Sequence, residues 1–87
     1  MTLLIDPPTW PAHGRIWSHL VSDESFEELH EFAAGIGLPP RGFHRDHYDV
    51  PAELYERVVA AGATAISSRD LVARLNAAGL RRRRTPP

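Results

Sequence analysis

The chain has 87 residues, 43% of them hydrophobic and 24% charged, with a formal net charge of −1. That length excludes two independent cores, and the ordinary apolar fraction with low net charge excludes wholesale disorder. Cysteine is absent and all ten basic residues are Arg, which rules out disulfides, zinc thiolates, cysteine or lysine nucleophiles, Schiff bases and a phosphate-loop lysine.

No run of ~18 apolar residues marks a membrane span, and no charged-then-apolar leader marks a secretory signal. A cytoplasmic protein with no membrane association is expected. Residues 1–80 carry six Arg against eleven Asp and Glu, and Arg81–Arg84 add four positive charges. An acidic body therefore ends in a basic tail. The expected organisation is one compact α/β domain over 1–80 and a flexible basic tail over 81–87. A core this small contributes only about 3–5 kcal/mol net, so both a monomer and a homodimer stay open.

In chain order, Leu3-Leu4-Ile5 before Asp6-Pro7-Pro8 predicts a short buried strand with Asp6 at its C-terminal end. Residues 7–14 read as a Pro-rich loop with Trp10 packed down as an anchor. Ile16 to Val21 predicts a second strand, with Trp17, His19 and Val21 on one face and Ser18, Leu20 and Ser22 on the other. Ser25-Phe26-Glu27-Glu28 is a capping box that starts a helix at Phe26. Its stripe is Phe26, Leu29, Ala33 and Ile36, His30 lies at the edge of that stripe, and Gly37 stands at C′.

Residues 38–50 read as an irregular loop. Pro51 fits N1 of a second helix running to about Ala61, and Gly62 closes it. Ala63 to Ile66 predicts a third strand. Ser67 caps a last helix with the stripe Leu71, Val72, Leu75 and Ala78, stopped by Gly79. The fold class expected is α/β: a small sheet of about three strands, strands two and three paired in parallel through a βααβ crossover, covered by three helices. Loops 6–15 and 38–50 should meet near one end of that sheet.

The string His44-Arg45-Asp46-His47-Tyr48-Asp49 packs two His, two Asp, one Arg and one Tyr into six residues. Imidazole and carboxylate are ligands for divalent metals, and the same pair serves as general base and orienter. The competing reading is a turn, with Asp49 as a cap and Tyr48 as part of the core. His19 and His30 can likewise be hydrogen-bonded core histidines. Three inward imidazoles are costly unless each has a partner, and Asp6, Asp23 and Asp49 are the candidates. Asp6 at a strand end also suits a metal or ribose hydroxyl. Arg15 could hold a phosphate bidentately, and Arg69 lies in a helix first turn, where positive charge is disfavoured without an anionic partner. Arg81–Arg84 is either a nucleic-acid contact or a solvated end.

The pieces Leu3-Leu4-Ile5-Asp6, Gly14-Arg15, Ser18-His19-Leu20, Asp23, Glu28-Leu29-His30, Ile36-Gly37, Phe43, His47-Tyr48-Asp49, Gly62-Ala63 and Ser68-Arg69 carry a resemblance over nearly the whole chain. It resembles a family of uncharacterised bacterial and phage proteins, domain-of-unknown-function family four-zero-three-one. Where other members carry two acidic residues, this chain has Asp6-Pro7, which weakens a two-metal reading. The resemblance implies that Asp6, Arg15, His19, His30, His47, Tyr48 and Asp49 belong to a recurring pattern, and it supplies no activity.

Two functions are therefore weighed. The first is an enzyme or specific binder for a phosphate-bearing ligand, a nucleotide or nucleic acid. There His47, His19 and Asp49 are the catalytic candidates, Arg15, Arg69, Tyr48 and His30 bind the ligand, and Asp6, His47 and Asp49 hold a divalent metal. The second is a non-catalytic interaction module whose histidines are structural.

Overall fold

The computed structural model describes residues 2–81. Its strands are β1 (Leu3–Ile5), β2 (Trp10–Ala12), β3 (Arg15–Ser22), β4 (Phe43–His44), β5 (His47–Pro51) and β6 (Thr64–Ala65). Its helices are α1 (Phe26–Gly35), α2 (Tyr55–Ala60) and α3 (Ser68–Ala77), with single 3₁₀ turns at Pro40–Gly42 and Ala52–Leu54. The strands form one mixed sheet in the order β4-β5-β3-β1-β6, with β2 also paired to β3. None of the described helices is long and apolar enough to cross a membrane.

β3 is the central strand. On one side it pairs antiparallel with β5, Trp17 opposite Pro51 and Leu20 opposite Tyr48. On its other side it meets two short strands in succession. β1 covers Leu20 to Ser22 and β2 covers Arg15 to Trp17, both antiparallel. β1 and β2 thus form one interrupted neighbour of β3, and the break is Asp6-Pro7-Pro8-Thr9, where proline cannot donate to the ladder.

Each face of the sheet buries a separate core. Alternation sends Ile5, Leu20, Tyr48 and Val50 to one side, where they pack with Leu29 and Ala33 of α1 and Val58 of α2. Leu4 and Val21 point the other way and pack with Leu71 and Leu75 of α3.

The capping residues act as their sequence suggests. Ser25 Oγ accepts the Glu28 N–H at 3.0 Å and Ser67 Oγ accepts the Asp70 N–H at 3.1 Å. At the end of α1, Gly37 takes φ +80°. The Leu38 N–H returns to the Ala33 carbonyl at 2.9 Å and the Gly37 N–H to Ala34 at 3.2 Å, which satisfies the last carbonyls of the helix.

Six strands, not about three, correct the sequence-based expectation, and the three helices stand. The extra strands lie in the two segments read as loops. His13 and Gly14, both at positive φ (51° and 72°), turn β2 into β3, the conformation of a tight two-residue hairpin. Arg45 and Asp46 turn β4 into β5. The predicted parallel pairing of strands two and three is also overturned. β1 lies between β3 and β6, antiparallel to the first and parallel to the second. Pro51 ends β5 instead of opening a helix, and a 3₁₀ turn precedes α2. Trp10, expected to pack down, is 48% exposed. Of the expected tail, residues 82–87 lie outside the described residues.

Leu20 is fully buried at the centre of β3. Leu20→Ala should destabilise the domain by about 2–5 kcal/mol, read as a lower urea midpoint with unchanged m-value.

Candidate metal centre

The β3–β5 register builds the site. His19 stands opposite Asp49 in the ladder. His47, two residues from Asp49, shares its face, so one face of two neighbouring strands carries His19, His47 and Asp49. One ligand atom from each lies within 4.8 Å of the others. The two imidazoles meet edge to face, with ring centroids 4.8 Å apart.

Each imidazole is held from behind by a buried carboxylate. His19 Nδ1 lies 2.9 Å from Asp6 Oδ2, and His47 Nδ1 lies 2.8 Å from Asp46 Oδ1. With Nδ1 engaged in this way, Nε2 is the nitrogen each ring has left. A carboxylate on the far nitrogen fixes the tautomer and aim of a metal-binding histidine.

Asp6 holds its position at the break between β1 and β2. Between β1 and β2 no backbone carbonyl meets the His19 N–H, and Asp6 Oδ1 accepts it at 2.6 Å. Asp6 Oδ2 also accepts from Ser68 Oγ of α3 at 2.8 Å and from Trp10 Nε1 at 3.3 Å. The carboxylate proposed from sequence as a metal ligand is thus saturated with donors and positions His19. Burial alone would raise its pKa. The bonds from the His19 ring, the His19 N–H and Ser68 outweigh that and hold it below the usual carboxylate value.

Asp46 is placed by a tight turn. Arg45 takes φ +60° and the Asp46 N–H closes on the His44 carbonyl at 2.7 Å, a strained three-residue geometry. The Asp46 carboxylate receives Arg81 Nε at 2.9 Å and an Arg81 terminal nitrogen at 3.2 Å. Burial again pushes this acid up, and the Arg81 and His47 hydrogen bonds bring it below its ordinary value.

His47 carries a carboxylate at both nitrogens. Nε2 lies 3.2 Å from Asp49 Oδ1, opposite the Asp46 contact. A neutral imidazole has a single N–H and can donate to one carboxylate only. A cation between Nε2 and Asp49 would satisfy the second contact. The ligand atoms of a tetrahedral zinc site stand about 3.3 Å apart, which the His47–Asp49 pair already matches. His19 would close onto a shared ion by a movement of at most about 1.5 Å. Asp49, with 43% of its side chain exposed, is the ligand freest to swing.

The other residues singled out from sequence lie elsewhere. Tyr48 alternates to the opposite face of β5, where its hydroxyl is 2.7 Å from His30 Nδ1 and both rings pack on Phe43. Burial pushes the Tyr48 phenol up, so it keeps its proton while it shares a hydrogen bond with His30. That pair is separated from the centre by the sheet. Arg15 lines a groove beside the centre and pairs with Glu53 at 3.5 Å, both side chains exposed. Arg69 is exposed in the first turn of α3 and has no ion pair among the described residues. The roles of Asp46, Arg81 and Trp10 escaped the sequence reading. An Asp directly preceding a candidate ligand His was the available signal for the first.

Asp6 and Asp46 have folded-state pKa values below their unfolded ones. Their stabilisation is present in full above about pH 4 and drains away as pH falls through the depressed values. Asp6→Asn should therefore flatten the acid limb of a stability-versus-pH curve below about pH 4. Asp6→Ala, which strands several donors, should cost about 2–4 kcal/mol at pH 7, measured by urea titration at each pH.

No curated protein and no solved structure matches the chain significantly. One family model does, over residues 3–78, a span that takes in every described strand and helix and the three residues of the centre. The chain is a member of the family described as protein of unknown function, DUF4031.

Proposed function

We propose that this domain binds a divalent metal ion through His19, His47 and Asp49 and uses it to hold, and act on, a phosphate-bearing ligand of the nucleotide or nucleic-acid class. The observation that supports this reading is the double carboxylate contact of His47 beside a second imidazole whose own Nδ1 is engaged by Asp6. Two imidazoles and one carboxylate suit a transition ion such as Zn²⁺, Mn²⁺ or Ni²⁺. Three protein ligands leave a position open for water or substrate. An ion so held supplies Lewis-acid activation of a bound water or of a phosphoryl oxygen.

The residues around the centre divide the remaining work. Asp6 and Asp46 aim the two rings. Arg81 partly neutralises Asp46, so that the cluster is not left with three uncompensated carboxylates. Arg15 and Arg41 stand in the adjoining groove, where a guanidinium can meet phosphate oxygens in a fork. Glu53 holds Arg15 only through an exposed contact, which is worth little in water and is readily exchanged.

The test is a thermal-shift and calorimetric titration of chelator-treated protein with Zn²⁺, Mn²⁺, Ni²⁺ and Mg²⁺ separately. An ion at 100 times its dissociation constant should stabilise the fold by about 2.7 kcal/mol. His47→Ala should abolish the shift, and Asp46→Asn should weaken the same ion by about 10- to 100-fold through loss of ring orientation. No shift with any ion, or a shift that survives in His19→Ala/His47→Ala, would sink the proposal.

A further inference from the structure

The groove of about 540 Å³ beside the centre is lined by parts of both segments expected from sequence to meet, 6–15 and 38–50, together with His19. Its volume falls in the range of small-ligand sites and suits one nucleotide rather than a duplex. Both tryptophans of the chain line it. They face each other across the β2–β3 hairpin, Trp10 opposite Trp17 in the ladder.

Both indoles are fixed in place. Trp17 Nε1 donates to the Ala12 carbonyl at 2.9 Å and Trp10 Nε1 donates to Asp6 at 3.3 Å. Trp10 also meets the His19 ring edge to face, with centroids 5.0 Å apart. It is nevertheless 48% exposed. A large ring that is oriented by its N–H, pressed against a candidate ligand histidine and left open to solvent is prepared for a planar partner.

The polar groups of the groove choose among planar partners. A sugar would need a set of amide and carboxylate groups to read its hydroxyls, and the groove has no Asn, Gln or Glu. Its charged side chains are Arg15, Arg41 and Asp49, and Asp49 is assigned to the cation. What remains is an aromatic platform with two guanidiniums and a metal position. That combination fits an aromatic ligand bearing negative charge.

Resting on the reading of the centre as a cation site, we infer that the groove takes a single nucleoside 5′-phosphate, its base stacked on Trp10 and its phosphate directed to Arg15, Arg41 and the ion. Stacking on an aromatic side chain tolerates any base, so the selectivity is for a base over none, and weak among the four.

Because both tryptophans line the groove, quenching of intrinsic fluorescence reads its occupancy by a base directly, and ligands without a base are read by competition against a bound nucleotide. Zn²⁺-loaded protein would be titrated with the four nucleoside 5′-monophosphates, ribose 5-phosphate, inorganic phosphate and a 5′-phosphorylated tetranucleotide. The monophosphates should quench and bind about 10-fold or more tighter than ribose 5-phosphate. Trp10→Ala, with Trp17 still reporting, should bring that ratio close to one, and Trp10→Phe, which keeps a ring, should preserve most of it. The unmutated protein's ratio is informative even if Trp10→Ala fails to fold.

Equal binding of ribose 5-phosphate, no quenching at millimolar nucleotide, or a ratio unchanged in folded Trp10→Ala would overturn the inference. A tetranucleotide more than tenfold tighter than the monomers would overturn the single-nucleotide assignment. Metal titration without nucleotide keeps the two ideas apart. Metal binding without base preference defeats only this inference, while base preference without metal binding defeats the cation reading.

Discussion

The carboxylate of Asp6 fills a gap in the sheet, and much of the site depends on that substitution of side chain for backbone. Asp6-Pro7-Pro8-Thr9 interrupts the pairing along one side of β3, so the His19 N–H has no ladder partner there. A buried amide without an acceptor is costly, and Asp6 Oδ1 supplies the acceptor at 2.6 Å. The same carboxylate then has its second oxygen beside the His19 ring, the Ser68 hydroxyl and the Trp10 indole. One acidic side chain thus links β1, β2, β3 and the first turn of α3. The break that weakens the ladder also sets the direction in which His19 points.

The second imidazole is supported by different means to the same end. His47 sits where a strained turn at Arg45 brings the adjacent Asp46 back onto its Nδ1. Asp46 needs its own counter-charge to remain ionised while buried, and Arg81 supplies it with two hydrogen bonds. The two halves of the centre therefore depend on distant parts of the chain. One is tied to the start of α3, the other to the residue four positions past its end. Such buried polar networks stabilise only when every member is satisfied. Among them His47, flanked by Asp46 and Asp49, is the member with a carboxylate near both ring nitrogens.

The local signals in the sequence were strong where side chains cap or punctuate. Ser25, Ser67 and Gly37 marked α1 and α3 correctly, because each acts through neighbours within a few residues. His19, His47 and Asp49 were singled out by chemistry and do converge. Strand pairing was not legible, since it depends on contacts far apart in the chain. The hairpin turns lacked the usual Asn-Gly signature, His13, Gly14 and Arg45 taking positive φ without it. One misreading caused another. With residues 38–50 taken as loop, Tyr48 was grouped with His47 and Asp49. Read as a strand, period-two alternation separates it from both and sends it to His30 on the other face.

The placement of the centre also bears on how so small a domain holds together. The core under α1 and α2 is the larger, and the one under α3 is only Leu4, Val21, Leu71 and Leu75 with two partly buried neighbours. The face bearing that smaller core continues past Val21 into His19, Asp6, His47 and Asp49, all polar. On this face hydrophobic burial stops where the candidate ligands begin, and ion pairs and hydrogen bonds take over the tethering of α3 to the sheet. A cation there would join β3 to β5 directly. Through Asp6 and Ser68 it would also secure the start of α3, and through Asp46 and Arg81 the chain beyond its end. Metal affinity at such a position is also folding free energy. The site and the weaker of the two cores would then be stabilised by one ligand, which couples occupancy of the groove to the integrity of the face that carries it.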